Sequence, residues 1–91
     1  MKTKLFPKTD KESRVLGIEL CDLILYNDDV NTFDFVIETL VDVCNHDYLQ
    51  AEQCATLVHY KGKCGVKRGS FEELKPKCEA LLEKGLSATI E

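Results

Sequence analysis

The stretch YNDDVNTF, residues 26 to 33, constrains the fold most strongly because it separates two apolar segments of different period. Before it, residues 23 to 25 form an unbroken apolar run. After it, apolar residues recur at the spacing of a helix: Phe33, Val36, Ile37, Leu40, Val41 and Cys44. The short polar side chains between the two segments are typical of turns and caps, because they bond to nearby backbone amides. The stretch therefore predicts a connection from a strand to a helix.

The flanking residues predict the first strand and the first helix. A strand over about residues 18 to 27 has apolar side chains on both faces at its centre. A helix over about Thr32 to Cys44 follows, with Asn31 as its predicted N-cap. Asp34, three residues after Asn31, is the predicted acidic half of a capping box.

A second helix is predicted at about Tyr48 to Lys61. Asp47 and Gln50 supply a cap signature at its start, and Gly62 is the residue type favoured just past a helix C-terminus. Its predicted inward face consists of Ala51, Cys54, Ala55 and Val58.

The remaining residues predict a strand, a helix and a closing strand. The strand covers Cys64 to Arg68, and the helix begins at a Ser70 and Glu73 capping box. Pro76 should bend this helix or delay its regular part, because proline lacks the amide hydrogen. Leu86 to Ile90 alternates as the last strand. The order βααβαβ predicts an α+β domain with a small antiparallel three-stranded sheet covered by three helices on one face.

Length and composition indicate one globular domain. The chain has 91 residues, of which 44% are hydrophobic and 31% charged, and no apolar run is long enough to cross a bilayer. Its start, MKTKLFPK, lacks the apolar segment of a secretory signal, so a cytoplasmic location is expected. Residues 1 to 17 are polar and rich in lysine, which predicts a flexible N-terminal tail before a core of residues 18 to 91.

The charge distribution predicts an acidic surface in the middle of the domain. No Lys or Arg occurs between Arg14 and Lys61, and the net charge is -4. This argues against a nucleic-acid groove, which depends on clustered Lys and Arg. It suits a ligand that carries positive charge.

Cysteine and metal signals are weak. The five cysteines never form a CxxC spacing, so they are read as reduced and mostly buried apolar residues. Cys44, His46 and Asp47 are adjacent potential ligands, but three such residues at a helix end are more often cap residues. No metal or other cofactor is therefore predicted.

One candidate site combines the polar turn with a distant histidine. If the second helix packs against the first, His59 lies beside Asn27 and Asp28. A carboxylate, an amide oxygen and a neutral imidazole each accept one bond, which suits a primary ammonium with its three donors. Two alternatives remain at this point: a structural histidine, and a small hydrolase that uses Asp28 or Asp29 with His59 as an acid-base pair.

The residues YNDDVNTFDFVIETL followed by VHYKGK resemble the ClpS family of bacterial Clp protease adaptors, which recognise N-degrons. The resemblance covers about Leu23 to the C-terminus. It implies that Asn27, Asp28 and His59 hold the α-amino group of a substrate. It further implies that the side chain of the substrate's first residue enters an apolar pocket. The positions that match the lining of that pocket are Phe33, Val36, Ala55 and Val58.

The resemblance also implies partners and a mode of action. The expected protein is a monomeric adaptor without enzyme activity that delivers substrates to a Clp AAA+ unfoldase of the ClpA or ClpC type. The expected substrates begin with Leu, Phe, Tyr or Trp, and the N-terminal tail is expected to engage the unfoldase. Thr32 and Phe33 depart from the proline and the methionine that many members carry, which bears on the ranking of first residues.

Overall fold

The computed structural model describes residues 19 to 91. The elements are β1, Cys21–Tyr26; α1, Phe33–Cys44; α2, Tyr48–Lys61; β2, Lys63–Gly69; α3, Phe71–Glu83; and β3, Ser87–Ile90. The predicted order βααβαβ is confirmed. The predicted tail of residues 1 to 17 lies outside the described residues, so it stays a prediction.

The three strands form one antiparallel sheet, as predicted, and the structure adds their order in the sheet, β2-β1-β3. Leu25 in the central strand pairs with Cys64 of β2 and with Ala88 of β3. The first strand ends at Tyr26 rather than at residue 27, and the Asn27 amide donates to the Gly62 carbonyl at 2.9 Å. This bond ties the end of β1 to the end of α2.

The helices all pack on one face of the sheet. Leu23 and Leu25 of β1 point toward them and are at most 1% exposed, whereas Ile24 and Tyr26 point to the other face and are half-buried. The predicted inward residues of α2 are all buried. The core consists of Leu23, Leu25, Ile37, Leu40, Cys44, Ala51, Cys54, Ala55, Val58, Val66, Leu74, Cys78, Leu81, Leu86 and Ala88. None of the helices within residues 19 to 91 has both the length and the apolar character needed to cross a membrane.

The cap of α1 corrects one sequence prediction. Its N-cap is Thr32, whose hydroxyl oxygen accepts from the Phe35 amide at 3.1 Å, and not Asn31. The Asn31 side chain instead donates through Nδ2 to Asp28 Oδ2 and to the Gly85 carbonyl. Asp34 therefore lies in the first turn, where its charge favours the positive helix end, and is not a capping-box partner of Asn31.

The other predicted caps are confirmed. Asp47 accepts from the Gln50 amide at 2.8 Å, and Gly62 closes α2 in the left-handed region at φ 93°. Ser70 and Glu73 form both bonds of the capping box of α3.

Proline at position 76 does not delay α3, contrary to one of the two outcomes predicted for it. The helix is continuous from Phe71, directly after the capping box. Pro76 leaves the Glu72 carbonyl without an amide donor, but both residues are exposed, so water can satisfy that oxygen.

Candidate functional site

The residues predicted for the site converge on one cavity of about 760 Å³. It opens where the loop after β1, the start of α1 and the last turns of α2 meet. All seven predicted residues line it: Asn27, Asp28, Phe33, Val36, Ala55, Val58 and His59. Four further residues complete the lining: Asp29, which the sequence offered only for the hydrolase alternative, and Asn31, Thr56 and Tyr60, which it did not single out as site residues.

Hydrogen bonds at the end of α2 explain why residues so far apart in sequence meet. The Gly62 carbonyl accepts from the Asn27 amide at 2.9 Å, and the Gly62 amide donates to the Val58 carbonyl at 3.0 Å. The left-handed conformation of Gly62 turns the chain from α2 directly into β2. His59, one turn before Gly62, is thereby held beside the loop that begins at Asn27.

Asp28 organises the loop. Its Oδ1 accepts from the backbone amides of Val30 and Asn31, both at 2.8 Å, and its Oδ2 accepts from the Asn31 side chain at 3.0 Å. Burial opposes ionisation of this carboxyl group, but the bonds from Asn31 and Val30 together outweigh it and hold the pKa of Asp28 below its ordinary value. The group is therefore a carboxylate at neutral pH, and one of its about four lone-pair positions stays open.

Asn27 and His59 contribute two further polar groups to the rim. Both are exposed, and neither side chain has a hydrogen-bond partner among residues 19 to 91. The His59 ring makes an edge-to-face contact with Tyr60, with centroids 4.8 Å apart and planes at 83°. Such pairs are favourable, so the contact restricts the orientation of the imidazole.

The inner wall of the cavity is apolar. Ala55 and Val58 are 3% and 5% exposed and form the part nearest the core, while Val36 is half-buried beside them. Phe33 lies at the mouth with 43% of its surface exposed. The cavity thus offers polar acceptors at its rim and an apolar surface within.

The electrostatic character of the cavity suits a cation. Asp28 and Asp29 both line it, whereas none of the described residues around it is Lys or Arg. The Thr56 hydroxyl donates to the Glu52 carbonyl at 2.9 Å, so its oxygen adds an acceptor rather than a donor. A ligand with a positive charge and an apolar side chain matches both parts of the site.

The other candidate cluster has ordinary structural roles. His46 is 4% exposed and donates from Nε2 to the Val66 carbonyl at 2.7 Å, while Asp47 caps α2. Cys44 is completely buried. Within residues 19 to 91 there is no group of three or more His, Cys, Asp or Glu side chains that could hold a metal ion.

The buried cysteines are poor nucleophiles. All five cysteines lie within the described residues, and all are free thiols. Burial raises the pKa of Cys44 and Cys78, and burial together with the neighbouring Cys64 thiol raises the pKa of Cys54 to about 12. Because the thiolate is the reactive form, these groups are unsuited to covalent catalysis.

Two of the lining residues missed from the sequence had a readable signal, and one did not. Thr56 and Tyr60 are four residues apart on α2 and adjacent to the predicted Ala55 and His59, so helical spacing places them on the same surface. Asn31 was assigned to a cap because asparagine is a preferred N-cap residue. Its contacts depend on a residue 54 positions away, which no local pattern reveals.

Fold and site together define a small α+β domain with a cavity between a polar loop and an apolar helix pair. Comparison with known proteins agrees with this class. Residues 19 to 89 match the family model "ATP-dependent Clp protease adaptor protein ClpS".

Individual relatives give the same result. The ClpS adapter protein of Campylobacter jejuni strain 81-176 is 34% identical over 64 residues, which are 66% of this chain and 67% of that protein. The ClpS adapter protein of Edwardsiella ictaluri is 43% identical over 58 residues, 62% of this chain and 55% of that protein. Agrobacterium tumefaciens ClpS2, solved bound to L-phenylalaninamide, is similar with a TM-score of 0.72 and 26% identity. The match covers 79% of this chain and 94% of that one.

The chain therefore belongs to the ClpS family. It is an N-degron adaptor, and its partner is a Clp protease. The resemblance found in the sequence is confirmed, as is the predicted α+β fold. The hydrolase alternative based on Asp28 and His59 finds no support in these relatives.

Proposed function

We propose that the cavity binds the first residue of a substrate, with its α-ammonium group at the rim and its side chain inside. The observation that carries this proposal is the placement of Asn27, Asp28 and His59 around the mouth of a cavity whose inner wall is apolar. L-Phenylalaninamide, the ligand of the related ClpS2 structure, has the same two features, an amino group and an apolar side chain.

The three rim residues supply one acceptor each for the ammonium. Asp28 offers the lone pair of Oδ2 that its loop leaves open, and Asn27 offers its amide oxygen. His59 accepts through a ring nitrogen when the imidazole is neutral. Hydrogen bonds in which the donor is charged are about twice as strong as neutral ones, so the free amino terminus supplies much of the affinity.

The apolar wall selects the side chain. Phe33, Val36, Ala55 and Val58 are proposed to contact a large first residue such as Leu, Phe, Tyr or Trp. The volume of about 760 Å³ is shared between rim and interior and is large enough for such a residue. Phe33 at the mouth is stiffer than the methionine of many relatives, so we expect this chain to rank the four residues differently from them.

The proposed action is binding and delivery without turnover, by a monomer without cofactor or nucleic acid in the cytoplasm. The proposed partner is a Clp AAA+ unfoldase of the ClpA or ClpC type, and residues 1 to 17 are the proposed segment that it engages. Deletion of residues 1 to 15 removes no predicted core residue, so peptide binding should persist while delivery of substrate falls. Full stimulation of degradation by the shortened chain would contradict this part of the proposal.

The proposed specificity is tested with peptides that differ only in their first residue. Fluorescence anisotropy with Leu, Phe, Tyr and Trp peptides should show clearly tighter binding than with Ser or Glu peptides of the same remaining sequence. Incubation with the chain should leave each peptide uncleaved. Equal affinity for all six peptides would show that the apolar wall does not read the first side chain.

A further inference from the structure

The side chain of Asn31 connects two distant parts of the molecule at the edge of the cavity. Its Nδ2 donates to Asp28 Oδ2 at 3.0 Å and to the Gly85 carbonyl at 2.9 Å. Both partners are oxygen acceptors, so the orientation of the amide is fixed, with its two hydrogens used and its oxygen directed away from them.

Gly85 is a firm point of attachment. It follows α3 in the left-handed region at φ 89°, and its amide donates to the Leu82 carbonyl at 3.0 Å. The Leu86 amide donates to the Leu81 carbonyl at 3.0 Å, which completes the two-bond motif that closes many helices. Leu81 and Leu86 are both buried, so the core fixes the position of this turn.

All three hydrogen bonds to Asp28 come from residues of its own loop, and only one of the donors, the Asn31 side chain, also reaches a distant residue. The two bonds to Oδ1 come from amides two and three residues further along, and they shape the loop without locating it relative to the fold. The bond from Asn31 to Oδ2 is the one that is continued to Gly85. The lone pair left on Oδ2 therefore points where Asn31 directs it.

We propose that Asn31 is the positioning residue of the amino-group site, linking the Asp28 carboxylate to the turn between α3 and β3. This inference rests on the proposed function, since it assigns to Asn31 the orientation of the acceptor that meets the substrate ammonium. Asn31 itself needs no contact with the ligand for this role.

Replacing Asn31 by alanine tests the role in the full chain. Asn31→Ala removes the link to Gly85 but leaves the two backbone bonds to Asp28 and the Asn27 bond to Gly62, so the loop keeps its shape and loses only the connection to the turn after α3. Affinity for a peptide with a free N-terminal Leu should fall about tenfold, the effect of losing one charge-assisted bond. The ratio of the affinities for free and N-acetylated peptide should fall as well, because the substitution weakens only the interaction with the ammonium group.

A matched control lies at the other end of α1. Asn45 is exposed and left-handed at φ 59°, a conformation that glycine adopts freely. Asn45→Gly removes an asparagine side chain far from the cavity, and peptide affinity should equal that of the unchanged chain. Loss of affinity in both variants would mean that general loosening, and not the link to Gly85, explains the effect of Asn31→Ala.

A second readout separates positioning from stability. The bonds from Asn31 favour the ionised form of Asp28, so a carbon-detected NMR titration should place the Asp28 midpoint higher in Asn31→Ala than in the unchanged chain. In the unchanged chain the two side-chain amide protons of Asn31 should shift as Asp28 titrates. The titration of the Asn31 amide protons uses the unchanged chain, so it remains decisive even if the alanine variant is poorly folded.

The outcomes are distinguishable from failure of the proposed function. If the unchanged chain binds free and acetylated peptides equally, the amino-group site itself is wrong. The positioning role of Asn31 is overturned, while the amino-group site stands, under a different result. In that result the unchanged chain binds the free peptide more tightly than the acetylated one, and a folded Asn31→Ala variant binds the free peptide with an affinity within about twofold of the unchanged chain. The positioning role would also be overturned if the signals of the Asn31 side-chain amide protons did not shift as Asp28 titrates.

Discussion

The two ends of α1 carry the same kinds of residue, but only the residues at the first end line the cavity. Before the helix, Asn27 and Asp28 meet His59 around a cavity; after it, Asn45, His46 and Asp47 form a closed connection. At the second end, the His46 Nε2 donates to the Val66 carbonyl and Asp47 caps α2, while the His46 Nδ1 is buried without a hydrogen-bond partner among the described residues. At the first end acceptors remain open beside a cavity. A binding site thus depends on open acceptors that border a cavity, and residue type alone does not identify it.

The largest expected difference between the two ends comes from their aspartates. Asp28→Asn keeps an oxygen for the backbone amides but removes the charge that attracts the ammonium, so peptide affinity should fall by about 1.5–3 kcal/mol. Asp47→Asn keeps a preferred N-cap residue and should change neither affinity nor stability noticeably. Isothermal titration and thermal unfolding of both variants check this. A similar effect of the two substitutions would erase the comparison.

The histidines should separate affinity from stability. His46→Ala leaves the buried Val66 carbonyl without its donor, so the free energy of unfolding should fall by about 1–3 kcal/mol. His59 is exposed, so His59→Ala should leave unfolding unchanged and weaken peptide binding by about 1 kcal/mol. Denaturant unfolding measures the first effect and anisotropy the second. Reversed effects would mean that the roles of the two residues are exchanged.

The pH dependence of peptide binding should also differ between the two histidine variants. Histidine changes charge between about pH 5 and 8, and a protonated ring has no acceptor and repels an ammonium. Binding of a Leu peptide should therefore weaken from pH 7.5 to 5.5, remain pH-dependent in His46→Ala and become flatter in His59→Ala. A dependence that persists in His59→Ala would assign it to another group.

The smallest expected effect concerns the loop itself at acid pH. The pKa of Asp28 is lowered in the fold, so the carboxylate-dependent stability of the loop is complete above the unfolded value and is lost as pH falls through the folded value. NMR titration of the free chain should give an Asp28 midpoint below about 3.9, the ordinary value for aspartate. A midpoint at or above that value would mean that the bonds from Val30 and Asn31 do not hold in solution.

Much of the fold was predictable because its signals are local. The capping box of Ser70 and Glu73, the Asp47 cap and the buried face of α2 follow from helical spacing and from short-range hydrogen bonds. The placement of the helices on one face of the sheet also followed from the pattern of apolar residues, whereas the order of the strands within the sheet did not.

The site was only partly predictable for a physical reason. Asn27, Asp28 and His59 were reached through the family resemblance and the turn chemistry, and the cavity brings them together. The local pattern favours Asn31 as the cap of α1, but its side chain donates to the Gly85 carbonyl 54 residues away, and Thr32 is the cap instead. Pairings between residues so distant in sequence leave no periodic pattern.

The most direct test of the account is the affinity for a Leu-starting peptide before and after N-acetylation. Acetylation removes the ammonium charge and leaves Asp28 beside a neutral amide, so binding should weaken by roughly 2–5 kcal/mol, which is thirtyfold or more. A peptide acetylated only on an internal lysine controls for added bulk and should bind as the unmodified peptide does. Equal affinities for the free and the N-acetylated peptide would contradict the central claim that the rim of this cavity recognises an amino terminus.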